Sequence, residues 1–406
     1  MSLHREAHER VVVTGRGVLS SIGRGVPGFA QALAEGRNGI GALADMPRVG
    51  AALSGYDGAA EFSATDLSMM DRATQFAVIA AREAVQESGL DFEGEIGTRT
   101  AVIFGSASGC LATVESTYGN FFGDRTRRMH PMTVPRIMAN APASHISLLH
   151  GITGPAFMVA TACASSAYAA ALGLQMIRAG VVDAAIVGGA EAALLEGNLK
   201  GWDALRVLSP DTCRPFSKGR RGLVIGEGAG MLVLESLARA RARGATILGE
   251  LAGCAMNSDA HHILMPSMEG QAAAIRACLD DARMSEDEVG YVNAHGTATA
   301  ANDLTETKAI RRVFGHGADR LHVSSTKSMH GHTLGAAGAI ELIATLISLE
   351  RGFSPPTMNF VERDPECDLD YVPNEARPAS CKAALSNSFA FGGHNAVLAV
   401  RAAHGM

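Results

Sequence analysis

Four side chains that can do covalent or acid–base chemistry lie at the ends of predicted strands or the starts of predicted helices. They are Cys163, His295, Lys327 and His332. Alternating strands and helices form sheets whose binding sites gather at such strand ends. A thiol supplies a nucleophile, and imidazoles supply hydrogen-bond donors or bases. The pattern therefore indicates a candidate catalytic site, although each residue also has a purely structural interpretation.

Cys163 follows a predicted strand over 155–162 and precedes a predicted alanine-rich helix over 164–178. At a helix N-terminus the macrodipole favours a thiolate, and free backbone N–H groups can bind an oxyanion. A catalytic nucleophile is one interpretation of this residue, and a buried structural thiol is the other. The other six cysteines lack this context, and no C-x-x-C spacing indicates a zinc site or a disulfide framework.

The two histidines lie in turns that contain glycine. Gly296 follows His295 and lets a ligand approach the backbone closely, but a hydrogen-bonded core histidine fits the same pattern. His332 lies near a helix start, which disfavours imidazolium, so we expect a neutral ring that donates a hydrogen bond. The spacing of His330 and His332 could also suit a metal, but no acidic third ligand lies nearby, so we predict no metal site.

Three further residues could support such a site. Glu306 has apolar neighbours and needs a partner if it is buried, and Lys327 is the candidate that the sequence offers. An exposed carboxylate in the first turn of a helix is the alternative. The glycine-rich segment 386–395 carries Phe389 and Phe391, which either gate a hydrophobic tunnel or pack in the core.

The elements that must position these residues alternate between strands and helices. Predicted strands cover 11–15, 101–105, 155–162, 184–189, 291–295, 321–327, 383–388 and 396–400, and predicted helices cover 72–87, 164–178 and 338–349. Because such alternation produces sheets covered by helices on both faces, we predict an α/β fold. The pattern occurs twice, which divides the chain into similar halves at 1–250 and 251–406.

The composition is that of a folded enzyme. Of 406 residues, 47% are hydrophobic and 19% are charged, and the formal net charge is −6. Such a chain buries a sizeable core, and nothing in its overall charge attracts nucleic acid. The sequence shows no apolar run of membrane-spanning length, and its first ten residues are too polar for a signal peptide. We therefore expect a soluble cytoplasmic protein.

Taken together, the motifs resemble those of the β-ketoacyl-acyl carrier protein synthases of the elongating type. The likeness runs from 11–15 to 395–396, and its most specific motifs are Thr161-Ala162-Cys163, His295-Gly296-Thr297, Ser325-Thr326-Lys327-Ser328 with Gly331-His332-Thr333, and the loop 387–395. The resemblance implies a thiolase-like fold, in which two duplicated halves form five layers in the order α/β/α/β/α. It also implies a homodimer.

By this resemblance the chain is a 3-oxoacyl-[acyl-carrier-protein] synthase, which extends an acyl group by decarboxylative Claisen condensation. Cys163 accepts the acyl group, while His295 and His332 bind the malonyl thioester carbonyl and stabilise the enolate. Lys327 supports the two histidines and pairs with Glu306. The substrates arrive on the phosphopantetheine of acyl carrier protein, and no other cofactor is implied.

The resemblance also assigns the groups that bind the substrate. The backbone N–H groups of Cys163 and Phe391 form the oxyanion hole. The substrate-binding side chains are Thr297, Thr299, Phe389 and Ser108. The two threonines match positions that hold the phosphopantetheine arm. Ser108 stands where a bulky aliphatic residue often closes the acyl pocket, so we expect a deeper pocket that accepts longer or unusual acyl chains.

Other positions depart from the family pattern. Ala390 and His394 stand where the bacterial fatty-acid enzymes usually carry Gly and Thr, and Ala390 should stiffen the gating loop. Residues 67–71 lack the basic side chains that many relatives use to dock the acidic carrier protein. The basic residues that remain as candidates are Arg206, Arg125, Arg127 and Arg128. These departures favour a specialised pathway of the nodulation or polyketide kind.

Two other functions share the fold. A non-condensing partner subunit of the chain-length-factor kind acts as a binding module, but those relatives lose the cysteine that this chain keeps as Cys163. A thiolase acts on coenzyme A esters and needs a second reactive cysteine near the C-terminus, and Cys381 is not in such a motif. Acylation of Cys163 distinguishes the synthase from the inert subunit, and malonyl decarboxylation without an acyl primer distinguishes it from a thiolase.

Overall fold

The computed structural model describes residues 9–44, 46–123 and 128–403. Its strands are β1 (Val11–Ser20), β2 (Gly23–Arg24), β3 (Gly41–Ala42), β4 (Val49–Gly50), β5 (Thr100–Gly105), β6 (Ala156–Val159), β7 (Ala184–Glu191), β8 (Gly228–Ser236), β9 (Gly249–Ser258), β10 (Val289–Asn293), β11 (His322–Ser324), β12 (Phe353–Ser354), β13 (Arg377–Pro378), β14 (Ala383–Ala390) and β15 (His394–Arg401).

The helices connect these strands and cover the sheets. They are α1 (Gly25–Glu35), α2 (Ala64–Met69), α3 (Arg72–Ser88), α4 (Glu95–Thr98), α5 (Leu111–Gly123), α6 (Thr133–Ile137), α7 (Ala141–His150), α8 (Ser165–Arg178), α9 (Glu196–Ala204), α10 (Leu237–Ala242), α11 (Met268–Ala282), α12 (Ala300–Phe314), α13 (Lys327–His330) and α14 (Ala337–Arg351). In the part of the chain that the structure describes, no helix has the length and apolar character needed to cross a membrane.

Two groups of five strands repeat one topology. The first group has the order β6-β5-β7-β8-β1, and the second has the order β11-β10-β14-β15-β9. In each group the first three strands named are parallel to one another. The fourth strand pairs antiparallel with the third, and the fifth pairs antiparallel with the fourth. Each group therefore visits its strands in the same sequence along the chain, which confirms the predicted duplication. The division at residue 250 stays a prediction; the second group begins with β9.

A short pairing of β1 with β9 joins the two groups into one eleven-stranded sheet, and each group forms one of its two layers, here called the two sheets. Helices α8 and α14 form the layer between them. One buried cluster contains Leu174 of α8, Ile340 of α14, Val187 of β7 and Leu398 of β15, so both sheets pack on this layer. Helix α14 is buried around its whole circumference from 337 to 349, and its side chains there are nearly all apolar, as the sequence predicts.

The outer faces of the sheets are covered by other helices. Phe76 of α3 packs in one cluster with Phe104 of β5. Ile275 of α11 and Ile310 of α12 pack in another cluster with Leu385 of β14. Successive strand residues point to opposite faces, so each sheet contributes to the central cluster and to one outer cluster. The result is the predicted thiolase-like arrangement of five layers, α/β/α/β/α.

Three predicted strands, which the structure forms as β6, β10 and β11, end earlier than expected. The early ends of β10 and β11 place catalytic candidates outside the strands. β10 ends at Asn293 and β11 at Ser324, where the backbone N–H of Ala294 still donates to the carbonyl of Ser324 at 2.9 Å. Beyond that point the Ser325 hydroxyl donates to the carbonyl of Gly296 at 2.6 Å. This side-chain hydrogen bond lies where a strand ladder would otherwise continue. His295 therefore lies in a turn, and Lys327 begins α13 instead of ending a strand.

Candidate active site

One cavity contains the sulfur and both imidazoles that the sequence singles out. Its volume is about 280 Å³, and Cys163, His295 and His332 lie in its wall. Residues of the glycine-rich segment 386–395 also line the cavity, namely Phe389, Ala390, Phe391, Gly393 and Asn395. The structure thus brings Cys163 together with two imidazoles that lie 132 and 169 residues further along the chain.

A tight turn between β6 and α8 presents Cys163. Ala162 adopts a left-handed conformation with φ of 49°, which is unusual for a residue with a side chain. The Ser165 hydroxyl fixes the turn, because it accepts from the backbone N–H of Thr161 at 2.9 Å and donates to the carbonyl of Ala162 at 2.6 Å. The thiol is buried at the N-terminus of α8, where the sequence places it.

Burial controls the ionisation of Cys163. Loss of contact with water raises the pKa of the thiol to about 12, and the positive charge of Lys327 opposes that shift only in part. The backbone N–H of Cys163 lowers the pKa of the thiol, as expected at a helix N-terminus, but desolvation is the larger effect in the unacylated site. The thiol must lose its proton as it forms a thioester.

The two imidazoles meet edge to face. Their ring centroids lie 5.4 Å apart at an interplanar angle of 83°. The Nδ1 atoms of His295 and His332 are both buried without a hydrogen-bond partner among the described residues. Burial, assisted by the charge of Lys327, holds the pKa of both rings well below the ordinary range. His332 is therefore neutral as predicted, although the main cause is burial and not a helix terminus.

The partner of Lys327 is Glu341 of α14. The Lys327 ammonium bonds the Glu341 carboxylate, and both side chains are fully buried. The prediction that Lys327 pairs with Glu306 is wrong, because the amine reaches into the central helix layer. A signal for Glu341 was present in the sequence, since it is the only charged residue within the apolar stretch 338–349.

Glu306 holds the turn that carries His295. Its carboxylate accepts from the backbone N–H groups of His295 and Gly296, each at 2.8 Å, and from Asn387 Nδ2 at 3.1 Å. Glu306 is fully buried, so the alternative of an exposed carboxylate is excluded. Burial raises its pKa, and these donors oppose the shift.

Both ring nitrogens of His330 contact neighbouring oxygen atoms of the protein. Its Nε2 contacts the Thr326 hydroxyl at 3.0 Å and its Nδ1 contacts the carbonyl of Gly331 at 2.9 Å. Burial and the charge of Lys327 lower its pKa to about 3. His330 is thus a satisfied core residue, and its two ring nitrogens are not directed with His332 toward a common point.

The predicted substrate-binding side chains fall into two groups. Thr297 and Thr299 line the cavity, and their hydroxyl oxygens lie 2.8 Å apart. Phe389 also lines it and packs edge-on to His295, with ring centroids 6.3 Å apart. Ser108 lies outside the wall of this cavity. Its role at an acyl pocket stays a prediction.

Glu191 links the Ser108 loop to the His332 turn. Its carboxylate is fully buried and accepts from the Ser106 hydroxyl at 3.0 Å and from the backbone N–H groups of Ala107, Ser108 and Gly335 at 2.8, 3.1 and 3.0 Å. Burial raises its pKa to about 7. No local motif marks Glu191 in the sequence, because its partners lie more than 80 residues away.

Trp202 is a second residue of the site that sequence reasoning missed. It is the only tryptophan in the chain, it lines the cavity, and its ring stacks on Phe391 with centroids 5.9 Å apart. Gly392 and Gly393 follow with φ of 84° and 74°, so the turn between β14 and β15 needs glycine there. Ala390, at the end of β14, lies beside this stacked pair.

The basic residues considered for carrier docking differ in position. Arg206 is exposed and lies between Leu205 and Val207, both of which line the cavity. Arg128 is also exposed. Arg125 and Arg127 lie outside the described residues.

Comparison with known proteins identifies the family. Residues 8–240 match "Beta-ketoacyl synthase, N-terminal domain", and residues 248–361 match "Beta-ketoacyl synthase, C-terminal domain". Nodulation protein E of Rhizobium sp. (strain N33) is 45% identical over 97% of this chain and 99% of its own length. The 3-oxoacyl-[acyl-carrier-protein] synthase 2 of Staphylococcus aureus (strain N315) is 40% identical over 96% and 98%.

Solved structures agree with the sequence relatives. "The ishigamide ketosynthase/chain length factor" has a TM-score of 0.92 at 39% identity and covers 98% of this chain and 100% of its own. A type II polyketide acyl-carrier protein in complex with its ketosynthase has a TM-score of 0.89 at 32% identity, with the same coverage. The chain belongs to the β-ketoacyl synthase family. It is a condensing acyltransferase that makes 3-oxoacyl products, which confirms the predicted fold, family and activity.

Proposed function

We propose that Cys163 carries the growing acyl group and that His295 and His332 stabilise the enolate that attacks it. The observation that carries this assignment is the shared cavity, which places one thiol beside two neutral imidazoles. An elongating synthase needs both a covalent acyl acceptor and donors for an enolate oxygen.

In the first half-reaction the Cys163 sulfur attacks the carbonyl carbon of an acyl thioester. The bond from that carbon to the pantetheine sulfur breaks, and the proton from the Cys163 thiol ends on the departing sulfur. With a pKa of about 12, the thiol gives up this proton during the attack and not before it. We assign the oxyanion to the backbone N–H groups of Cys163 and Phe391, which lie in the same cavity wall.

In the second half-reaction the malonyl thioester loses CO2, and the electrons of the broken carbon–carbon bond form an enolate. A neutral imidazole can donate its N–H to the enolate oxygen without transferring a proton. The enolate carbon then attacks the acyl group on Cys163, and the released thiolate takes one proton from water. The Lys327–Glu341 pair supports this step, because the buried ammonium disfavours a second positive charge on either ring.

The substrates bring the phosphopantetheine arm that reaches the cavity. Thr297 and Thr299 line the approach to Cys163 and supply hydroxyl groups for the amides of the arm. The carrier is an acyl carrier protein, as it is in the polyketide ketosynthase complex named above. The chemistry described here requires no further cofactor.

We propose a homodimer that forms along β6. Within the described ranges this strand pairs with β5 alone, so its other edge offers free backbone groups. Exposed apolar side chains lie on neighbouring segments, namely Leu148, Leu149 and Val181. A chain that keeps Cys163 does not need a second type of subunit for catalysis. Light scattering on the purified chain measures the mass of the assembly.

The proposed location is the cytoplasm. All seven cysteines are free, and a buried thiol nucleophile requires a reducing environment.

Condensation products from a panel of acyl groups test the proposed preference for long or unusual chains. Loading of Cys163 only by chains shorter than about eight carbons would contradict that preference, which rests on the small side chain at Ser108 and the pocket expected beside it.

Mass spectrometry of the acylated chain tests the nucleophile. Incubation with an acyl carrier thioester should add one acyl mass to the peptide that contains Cys163, and the Cys163→Ala variant should gain none. Acylation at Cys213 or another cysteine would overturn the assignment.

A further inference from the structure

The turn between β14 and β15 carries Phe391, whose backbone N–H is assigned above to the oxyanion. Gly392 and Gly393 follow it with φ of 84° and 74°, a left-handed conformation that glycine adopts readily. The same freedom lets an unrestrained glycine turn adopt other conformations. A donor for a developing oxyanion is effective only when its position is fixed, so contacts from outside the turn must hold Phe391.

Two hydrogen bonds from the segment after β9 restrain the glycine side of this turn. The backbone N–H of Gly392 donates to the carbonyl of Ile263 at 2.8 Å, and the backbone N–H of Asp259 donates to the carbonyl of Gly393 at 2.8 Å. Both bonds act on residues that follow Phe391, and both come from the second half of the chain. The side chain of Phe391 is held by a different contact, which comes from the first half.

That contact is the ring of Trp202 on α9. The Trp202 and Phe391 rings stack with their centroids 5.9 Å apart and an interplanar angle of 24°. Both residues line the cavity that contains Cys163. A stacked aromatic pair favours the stacked arrangement by about two- to tenfold over the same arrangement without the ring contact. The stack is therefore strong enough to influence where the Phe391 backbone lies.

Helix α9 fixes Trp202 relative to the nucleophile. Leu199 of α9 is buried in one apolar cluster with Cys163, and Trp202 packs against the same cluster. Asp203, the next residue of α9, forms an ion pair with Arg48. The indole ring is thus held in place by the half of the chain that carries the nucleophile.

We propose that Trp202 is a positioning residue for acyl transfer, whose ring holds Phe391 so that the Phe391 N–H faces the acyl carbonyl at Cys163. This inference rests on the proposed function. Negative charge develops on the carbonyl oxygen as the sulfur attacks, so a displaced donor costs stabilisation mainly in the transition state. The enolate donors do not share this dependence, because other contacts hold their turns; the backbone N–H of His332, for example, donates to the carbonyl of Val224 at 2.7 Å.

Two substitutions of Trp202 separate positioning from simple lining of the cavity. Trp202→Leu removes the stack but keeps an apolar side chain, and Trp202→Phe keeps a ring that can stack. With a decanoyl thioester of pantetheine as the acyl donor, Trp202→Leu should lower the maximal rate of Cys163 acylation by about tenfold. The half-saturating donor concentration should change by less than about twofold, and Trp202→Phe should acylate within about threefold of the wild-type rate.

Two controls accompany these rates, which mass spectrometry measures. Malonyl decarboxylation should change by less than about twofold in both Trp202 variants, which also shows that they are folded. Phe360→Leu is the matched control, because Phe360 is a half-buried aromatic residue outside the cavity wall. It should acylate at the wild-type rate.

Fluorescence observes the stack itself, because Trp202 is the only tryptophan in the chain. Phe391→Leu uncovers one face of the indole to water and should shift its emission to longer wavelength. Phe360→Leu should leave the emission unchanged. Emission from Phe391→Leu that matches the wild-type chain would show that the two rings do not stack in solution and would overturn the proposal.

The rates give further ways to overturn it. Wild-type acylation by Trp202→Leu, or an equal loss in the Leu and Phe variants, would show that the stacked ring does not position the donor. A loss confined to the half-saturating concentration would make Trp202 a substrate contact, and an equal loss of decarboxylation would make it a general structural residue. If Cys163 of the wild-type chain accepts no acyl group, the proposed function itself fails.

Discussion

The edge strands of the two five-stranded groups, β6 and β11, each lead into a helix of the central layer, but through different turns. In the first half, β6 passes through the short turn that holds Cys163 and enters α8. In the second half, β11 passes through a longer segment that holds Lys327 and His332 and enters α14. The duplicated scaffold thus brings both turns to one cavity, and in the proposed function the nucleophile comes from one half and the enolate donors come from the other.

The largest effect is expected from removal of the proposed nucleophile in the first half. Cys163→Ala should lower the condensation rate by at least about a thousandfold, because the acyl group has no acceptor. Turnover with a malonyl carrier and an acyl carrier measures this loss. Cys278→Ala, which removes a fully buried thiol on α11, is the control and should keep its activity. Wild-type turnover by Cys163→Ala would refute the assignment.

The next largest effect is expected from removal of a proposed enolate donor in the second half. His332→Ala should lower malonyl decarboxylation by about a hundredfold or more, because the enolate oxygen loses an aimed donor. The release of CO2 from a malonyl carrier measures the effect, and acylation of Cys163 in the same variant is the internal control. Decarboxylation at the wild-type rate would place the enolate donors elsewhere.

The ion pair behind the histidines can be tested by unfolding. Lys327→Met leaves Glu341 buried without its partner and should lower the free energy of unfolding by about 3–5 kcal/mol. The double variant Lys327→Met/Glu341→Met should recover most of that loss, because no buried charge remains. Denaturant titration measures both. Equal stability of the single variant and the wild-type chain would show that the pair is not buried as described.

The smallest expected effect is on pH dependence. The pKa values of His295, His330 and His332 are lowered in the folded chain, so the rings stay neutral when the pH falls below their unfolded pKa of about 6.5. The unfolded chain then binds more protons at these three positions, so their contribution to the free energy of unfolding should decline as the pH falls from about 6.5. Glu191, whose pKa is raised to about 7, contributes in the opposite direction, so the histidine contribution is measured as the difference between the wild-type chain and His330→Asn. Malonyl decarboxylation should stay nearly constant between about pH 6 and pH 8. A loss of decarboxylation centred near pH 6.5 would show that the rings titrate normally.

What the sequence could predict is set by the range of the interactions. Cys163, His295 and His332 lie in short motifs whose residue types and local turns are visible in the sequence itself. The alternation of strands and helices likewise predicts both sheets and the buried helix α14. These features depend on neighbours along the chain, and the structure places the three side chains in one cavity.

What the sequence could not predict depends on distant contacts. The choice of Glu341 over Glu306 as the partner of Lys327 follows from how α14 packs between the sheets. Glu191 reaches Gly335, and Trp202 reaches Phe391, only when loops from both halves meet. The raised pKa of Cys163 likewise results from burial by residues throughout the chain, which a helix N-terminus alone does not reveal.

The central claim is that the thiol and the histidine pair do separate chemistry in one cavity. Measuring CO2 release from a malonyl carrier by Cys163→Ala and by His332→Ala, side by side, tests it most directly. We predict that Cys163→Ala still releases CO2 without forming a 3-oxoacyl product, whereas His332→Ala becomes acylated but releases almost none. Loss of CO2 release in the cysteine variant, or its retention in the histidine variant, would contradict this division.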